Sequence, residues 1–167
     1  MDKEQWDSLA VIRMERAREL LGEAQELLEK NSYKSANNRA FYAIEKCVKA
    51  LLATEQVEVL THNGAMKMFN MKFIHSGDGN FTAEDYRKIA KAEQIRNASD
   101  YDDFYIASRE ETRQQVENAL YLQLSIYSSI SSINCSILLL ILILHIPQTV
   151  IIFIYLCIFR VLIPQQS

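Results

Sequence analysis

The stretch Ser35-Ala-Asn-Asn-Arg-Ala-Phe-Tyr-Ala-Ile-Glu-Lys-Cys-Val-Lys-Ala-Leu-Leu52 sets the architecture of this chain. Small side chains recur at Ala36, Ala40, Ala43, Cys47 and Ala50, and bulky ones at Phe41, Ile44, Val48 and Leu51. Steps of three and four put the two sets on adjacent stripes of one α-helix. A stripe of small groups lets another helix axis approach closely, and a bulky stripe fills a core. The segment, capped by Ser35 and running to about Glu55, is therefore expected to be the most buried element, with Tyr42, Glu45 and Lys49 on an adjoining, more polar face.

On the N-terminal side, Ala10, Met14, Ala17, Leu21, Ala24 and Leu28 line one face of a helix from about Asp7 to Lys30, which Asn31-Ser32 ends. On the C-terminal side, Thr61 is placed to cap a helix from about Asn63 to Ile74 containing Met66, Phe69 and Phe73, before the loop Ser76-Gly-Asp-Gly-Asn80. Thr82-Ala-Glu-Asp85 reads as the cap of a fourth helix to about Ala98, with Tyr86, Ile89 and Ala92 inward and Arg96 pointing the same way. An acidic and aromatic connector, Asp100 to Ile106, leads to the capping box Ser108-Arg-Glu-Glu111 and a fifth helix carrying Val116, Leu120, Leu124 and Tyr127 to about residue 131. No solenoid-length repeat occurs. The expected fold class is all-α, an up-and-down bundle of four to five helices followed by an apolar C-terminal tail.

Composition agrees with this reading. Of 167 residues only two are proline, Pro147 and Pro164, and four are glycine, which disfavours a turn-rich β-sandwich or barrel. The charge is mildly acidic, −3, so indiscriminate clamping on nucleic-acid phosphates is disfavoured and a local basic patch is required for any such contact. Cys47, Cys135 and Cys157 have no short spacing and the charged N-terminus has no signal-peptide pattern, so neither a zinc site nor a disulfide framework is expected, and the compartment is expected to be reducing and cytoplasmic.

Charge is unevenly distributed. Every acidic residue and all but one of the 18 basic ones precede residue 118, and Arg160 is the sole charge after it. The expected division is a helical bundle over 1–131 and an apolar tail over 132–167. Residues 137–159 are long enough to span a bilayer as a kinked helix, interrupted by His145 and Pro147. They lack the flanking Lys and Arg of an ordinary anchor, so the tail reads as a membrane anchor, with membrane association, as an aberrant terminus, or as a buried or partner-packed helix.

The catalytic inventory is thin. His62, His75 and His145 form no metal-ligand pair, and no nucleophile elbow or phosphate-cradling glycine loop is present. No metal and no cofactor are expected. His62 reads most simply as a residue of a helix start and His75 as an exposed loop side chain. Asn37, Asn38 and Arg39, near the start of the second helix, combine a cation with free backbone donors and so offer an anion site.

Taken in order, Ser35-Ala-Asn-Asn-Arg-Ala-Phe-Tyr-Ala43, Lys49-Ala-Leu-Leu52, Thr61-His62 and Ile95-Arg-Asn-Ala-Ser-Asp-Tyr-Asp-Asp-Phe104 resemble the HEPN (higher eukaryotes and prokaryotes nucleotide-binding) domain, in the branch with Arg followed by Asp-Tyr, over roughly residues 8–121. The resemblance implies a four- or five-helix, often homodimeric bundle, commonly paired with a minimal nucleotidyltransferase as a toxin–antitoxin component. Some such domains are metal-independent endoribonucleases. Their signature is an Arg followed by a polar residue and, after four to six residues, a His. Arg96 and Asn97 match its first half, but Tyr101, Asp102 and Asp103 occupy the histidine positions. A tyrosine hydroxyl, ionising near pH ~10, is a poor base at neutral pH. The resemblance thus implies a protein without the catalytic His that binds a nucleotide, RNA or a nucleotidyltransferase partner through Asn38, Arg39, Arg96 and Asn97. The alternatives are an endoribonuclease toxin using Arg96 with Tyr101, and a membrane-tethered interaction module. For Arg96 the competing structural expectation is an ion pair with Asp100, Asp102 or Asp103 that fixes the connector.

Overall fold

The structure is a computed structural model that describes residues 1–75 and 79–133. Met1–Ile130 forms one compact unit; a second, Ser131–Ser167, is entered here only by the last residues of the fifth helix. Among the described residues five α-helices follow one another: α1 (Lys3–Glu29), α2 (Tyr33–Thr54), α3 (His62–Phe69), α4 (Ala83–Tyr101) and α5 (Arg109–Ile133), with a π-helical turn at Asn70–His75 between α3 and α4. The fold is all-α, as its periodicities require. No described helix is long and apolar enough to cross a membrane, and the expected span 137–159 lies outside the described residues.

The α1–α2 hairpin is the frame. α1 starts earlier than its apolar face implies, because Asp2 and Gln5 form a reciprocal capping box. Trp6 and Ala10 near the start of α1 pack on Ala53 at the end of α2. Arg13 donates to the Lys49 carbonyl at 2.9 Å and Glu23 pairs with Arg39, so the helices run antiparallel. Both close with the same device. Asn31 and Gln56 adopt left-handed backbone (φ +59° and +56°), and each is bracketed by a pair of reversed hydrogen bonds: Ser32 N–H to Leu27 O and Asn31 N–H to Leu28 O, then Val57 N–H to Leu52 O and Gln56 N–H to Ala53 O. These are Schellman closures made without glycine.

α2 is the central element, with 13 of its 22 residues buried, including every member of both stripes. It begins at Tyr33 rather than after Ser35, because the preceding closure leaves Ser32 as the flanking residue, and Ser32 makes no side-chain cap. Thr61 and Thr82 do cap α3 and α4: Gly64 N–H donates to Thr61 Oγ, and Thr82 and Asp85 form a full capping box. Beyond Phe69 the helix widens to π geometry, and the rings of Phe69, Phe73 and Phe81 meet at 5.3–6.1 Å.

Two expected faces are corrected. α4 continues through Tyr101, so Asp100 and Tyr101 are helical and the connector is shorter than expected. In α5 the inward residues are Thr112, Gln115, Val116, Ala119, Leu122, Gln123, Ile126 and Ile130, while Leu120 and Leu124 are exposed. Ser108 Oγ accepts from Glu111 N–H at 3.1 Å, and Tyr105 donates to the Glu111 carboxylate.

Candidate functional site

α4 lies antiparallel against the first half of α2, since Asn37 meets Ser99 at 3.5 Å, Asn38 donates to Asp100, and Tyr42 meets Arg96. On α2, Asn38, Tyr42, Glu45 and Lys49 follow one another at helical steps of four, three and four, and share one side. α4 covers the N-terminal end of that side and the start of α3 covers the rest, so this more polar face is packed against other helices. Glu45 is only 3% exposed.

Arg96 is the centre of the α4 half. Its Nη2 donates to Tyr42 Oη at 2.8 Å, its Nη1 donates to Asn97 Oδ1 at 3.0 Å, and its Nε lies 3.0 Å from Asp100 Oδ2. The guanidinium carbon sits 5.4 Å from the Tyr42 ring centre and 5.3 Å from that of Tyr101, close enough for cation–π attraction. The side chain is 14% exposed. Partial burial alone lowers the arginine pKa, but the Tyr42 hydrogen bond and the fields of Tyr42, Asp100 and Tyr101 outweigh it. The net direction is upward, and Arg96 is a fixed cation.

The expected ion pair is therefore present with a different consequence. Its carboxylate comes from Asp100, one turn along the same helix, so the pair does not fix the connector. Asp102 instead caps its own turn by accepting from Phe104 N–H, and its carbonyl accepts from Lys34.

Of the four expected ligand residues, Asn38, Arg96 and Asn97 converge, Asn38 through Asp100. Arg39 does not join them. One position round the helix from Asn38, it faces α1 and pairs with Glu23 at 3.0 Å. Because α2 starts at Tyr33, residues 37–39 lie past the first turn and their N–H groups belong to the helical ladder, so the backbone-donor site expected there does not form. Tyr101 stands at the end of α4, 75% exposed beside Arg96.

The α3 half holds residues that sequence reasoning missed. His62 Nδ1 and Lys49 Nζ each lie 2.6 Å from the same Glu45 oxygen, Oε1. The imidazole stands 5.9 Å from the Tyr42 ring and 5.8 Å from that of Phe41, centre to centre, and is 44% exposed. The common face of Tyr42, Glu45 and Lys49 was visible in the helical spacing. Which distant residue would meet it was not. Among the described residues, no three His, Cys, Asp or Glu side chains gather as metal ligands.

Residues 10–130 match the HEPN domain. Two relatives from Methanocaldococcus jannaschii, named "Putative toxin MJ0605" and "Putative toxin MJ0142", are 34% identical over 65% of this chain and 75% of theirs, and 33% identical over 53% of this chain and 59% of theirs. A UPF0332 protein of Thermotoga maritima is 38% identical over 39% of this chain and 49% of its own length. With the matched span reaching into each of the five described helices and the Arg96 constellation within it, the chain belongs to the HEPN domain family.

Proposed function

We propose that this chain is a toxin-type HEPN protein that binds single-stranded RNA at the α2–α4 face. One observation carries the reading: a fixed, partly exposed guanidinium lies against an exposed aromatic ring, Arg96 beside Tyr101. Arginine offers a planar fork of donors to a phosphate, and an exposed tyrosine offers a face on which a base stacks. Asp100 orients the arginine from one edge, and Asn38 holds Asp100. The names of the M. jannaschii relatives support the toxin-type role, and the family match supports a role on nucleotides or RNA.

The test is a paired measurement of melting temperature and affinity for a fluorescein-labelled oligouridine. Arg96→Ala and Tyr101→Ala should each weaken binding about 5- to 100-fold, the range for one stacking or charged contact. Arg96→Lys should substitute poorly because it loses the planar fork. A lowered melting temperature with unchanged affinity in Arg96→Ala would make the arginine structural and defeat the reading.

A second surface favours a protein partner. Phe104 and Ile106 are 94% and 87% exposed on a connector that also carries Asp102 and Asp103. Exposed apolar side chains beside two aspartates suit a partner that pairs an apolar patch with basic residues, and the nucleotidyltransferase class implied by the resemblance is the one to co-express, with Phe104→Ser as the disrupting variant. Sedimentation of the same samples tests the homodimer.

A further inference from the structure

We propose that the outer face of the second half of α5 lies on the surface of a lipid bilayer, a role separate from the α2–α4 site. Glu110, Arg113 and Glu117 begin one stripe along α5, and Leu120, Leu124 and Ser128 continue it at helical steps of three and four. In the first part Arg113 pairs with Glu110 at 2.6 Å and with Glu117 at 2.7 Å, as a water-facing surface does. From Leu120 the same stripe turns apolar. Leu120 and Leu124 are 39% and 59% exposed, and Tyr121 beside them 48%. Single exposed apolar side chains need no explanation, but three grouped within about one turn form a patch that favours leaving water.

Two observations favour lipid as the occupant. From Asn118 through Phe159 the sequence contains no Asp, Glu, Lys or Arg, and the patch stands near the start of that run. Residues 137–159, outside the described ones, have the length and composition to enter a bilayer, and they begin only a few positions beyond the end of α5 at Ile133. A bilayer entered there is within reach of Leu124.

The rim of the patch supplies the second observation. Lys88 of α4 holds its ammonium 5.1 Å from the centre of the Tyr121 ring. A tyrosine ring at headgroup depth, beside a lysine whose stem follows the apolar surface while its charge reaches outward, suits a membrane–water interface. Glu84 lies 3.8 Å from Lys88, so this cation is shared and the apolar contact supplies most of the binding. No described helix is long and apolar enough to cross a membrane, so α5 lies along the surface. Leu122, Ile126 and Ile130 stay buried in the bundle, and the contact requires no unfolding.

The experiment uses the full chain and vesicles of equal parts phosphatidylcholine and phosphatidylglycerol. A nitrobenzoxadiazole dye, which brightens on leaving water, is attached through Ser128→Cys, or through Glu110→Cys about 27 Å away on the ion-paired part of the stripe. Both carry Cys135→Ser and Cys157→Ser; Cys47 is buried and stays unlabelled. Vesicles should brighten the dye at position 128 and leave it unchanged at 110. Leu120→Asp combined with Leu124→Asp should raise the lipid concentration for half the signal at least ~10-fold, with melting temperature near that of the parent because both leucines are exposed. A chain that does not sediment with the vesicles would overturn the proposal. So would a chain that does while the dye at 128 stays dim, or an undiminished signal in the double aspartate variant, which would place the contact elsewhere. Brightening that follows protein concentration without lipid would assign the patch to a second copy and overturn it also.

Discussion

Gln56→Gly is expected to stabilise the protein. Gln56 closes α2 with φ +56°, a backbone region in which a β-carbon crowds the following carbonyl at a cost of about 1–2 kcal/mol. Its side chain is exposed, so removing it uncovers no core. The two hydrogen bonds of the closure use backbone atoms only and survive the change. Glycine gives back part of the gain through the greater freedom of its unfolded chain, roughly 0.5–1 kcal/mol. The net expectation is a gain of about 0.5–1 kcal/mol. For a bundle of this size that is roughly 2–5 °C in Tm, measured by circular dichroism at 222 nm or by calorimetry. Asn31→Gly, at the equivalent position of α1, is the internal control. Asparagine tolerates left-handed backbone, so its gain should be smaller. If Gln56→Gly melts at or below the wild-type temperature, or gains less than Asn31→Gly, the strain ascribed to this closure is absent and the argument fails.

Two further outcomes follow from burial. Leu122→Ala should cost about 2–5 kcal/mol, because Leu122 is fully buried, whereas Leu124→Ser, at a residue 59% exposed on the opposite side of the helix, should stay within about 0.5 kcal/mol; comparable denaturation midpoints would reverse the α5 face. Burial pushes the Cys47 thiol up to about 12 from an ordinary 9.0, so native protein at pH 8 should resist iodoacetamide until it unfolds. Because the folded-state pKa is the raised one, that contribution is intact below about pH 9 and is lost as pH rises toward 12, which a pH series of melting curves would show.

Where the sequence was legible, the signal was local. Thr61 and Thr82 precede their helices by one residue and need nothing else to act as caps. The two stripes of α2 were readable because alanine and bulky apolar residues fall on separate registers. α5 misled for the opposite reason. Thr112, Gln115 and Gln123 face inward while Leu120 and Leu124 face out, so apolar and polar residues occur on both stripes. Only the neighbouring helices choose between two such stripes. The site divides in the same way. Arg96 and Asn97 were found as a dipeptide motif and Asp100 as a nearby acid, but Tyr42 lies 54 positions from Arg96 and His62 20 positions from Tyr42, and these pairs meet through packing alone.

α2 packs Ala53 against Trp6 and Ala10 of α1 and presents Asn38, Tyr42 and Glu45 to α4 and α3. No loop supplies those side chains, so their positions are set when the hairpin forms rather than when something binds. On the proposed RNA-binding reading, an incoming strand would then lose its own freedom on docking and little of the protein's. The same arrangement removes the usual separation between scaffold and surface. A substitution that shifts α2 by a fraction of an ångström to relieve its core also moves Tyr42 against Arg96, so under the proposed reading variants selected for stability alone should drift in affinity, and the alanine stripe is under the same constraint as the proposed ligand-facing residues.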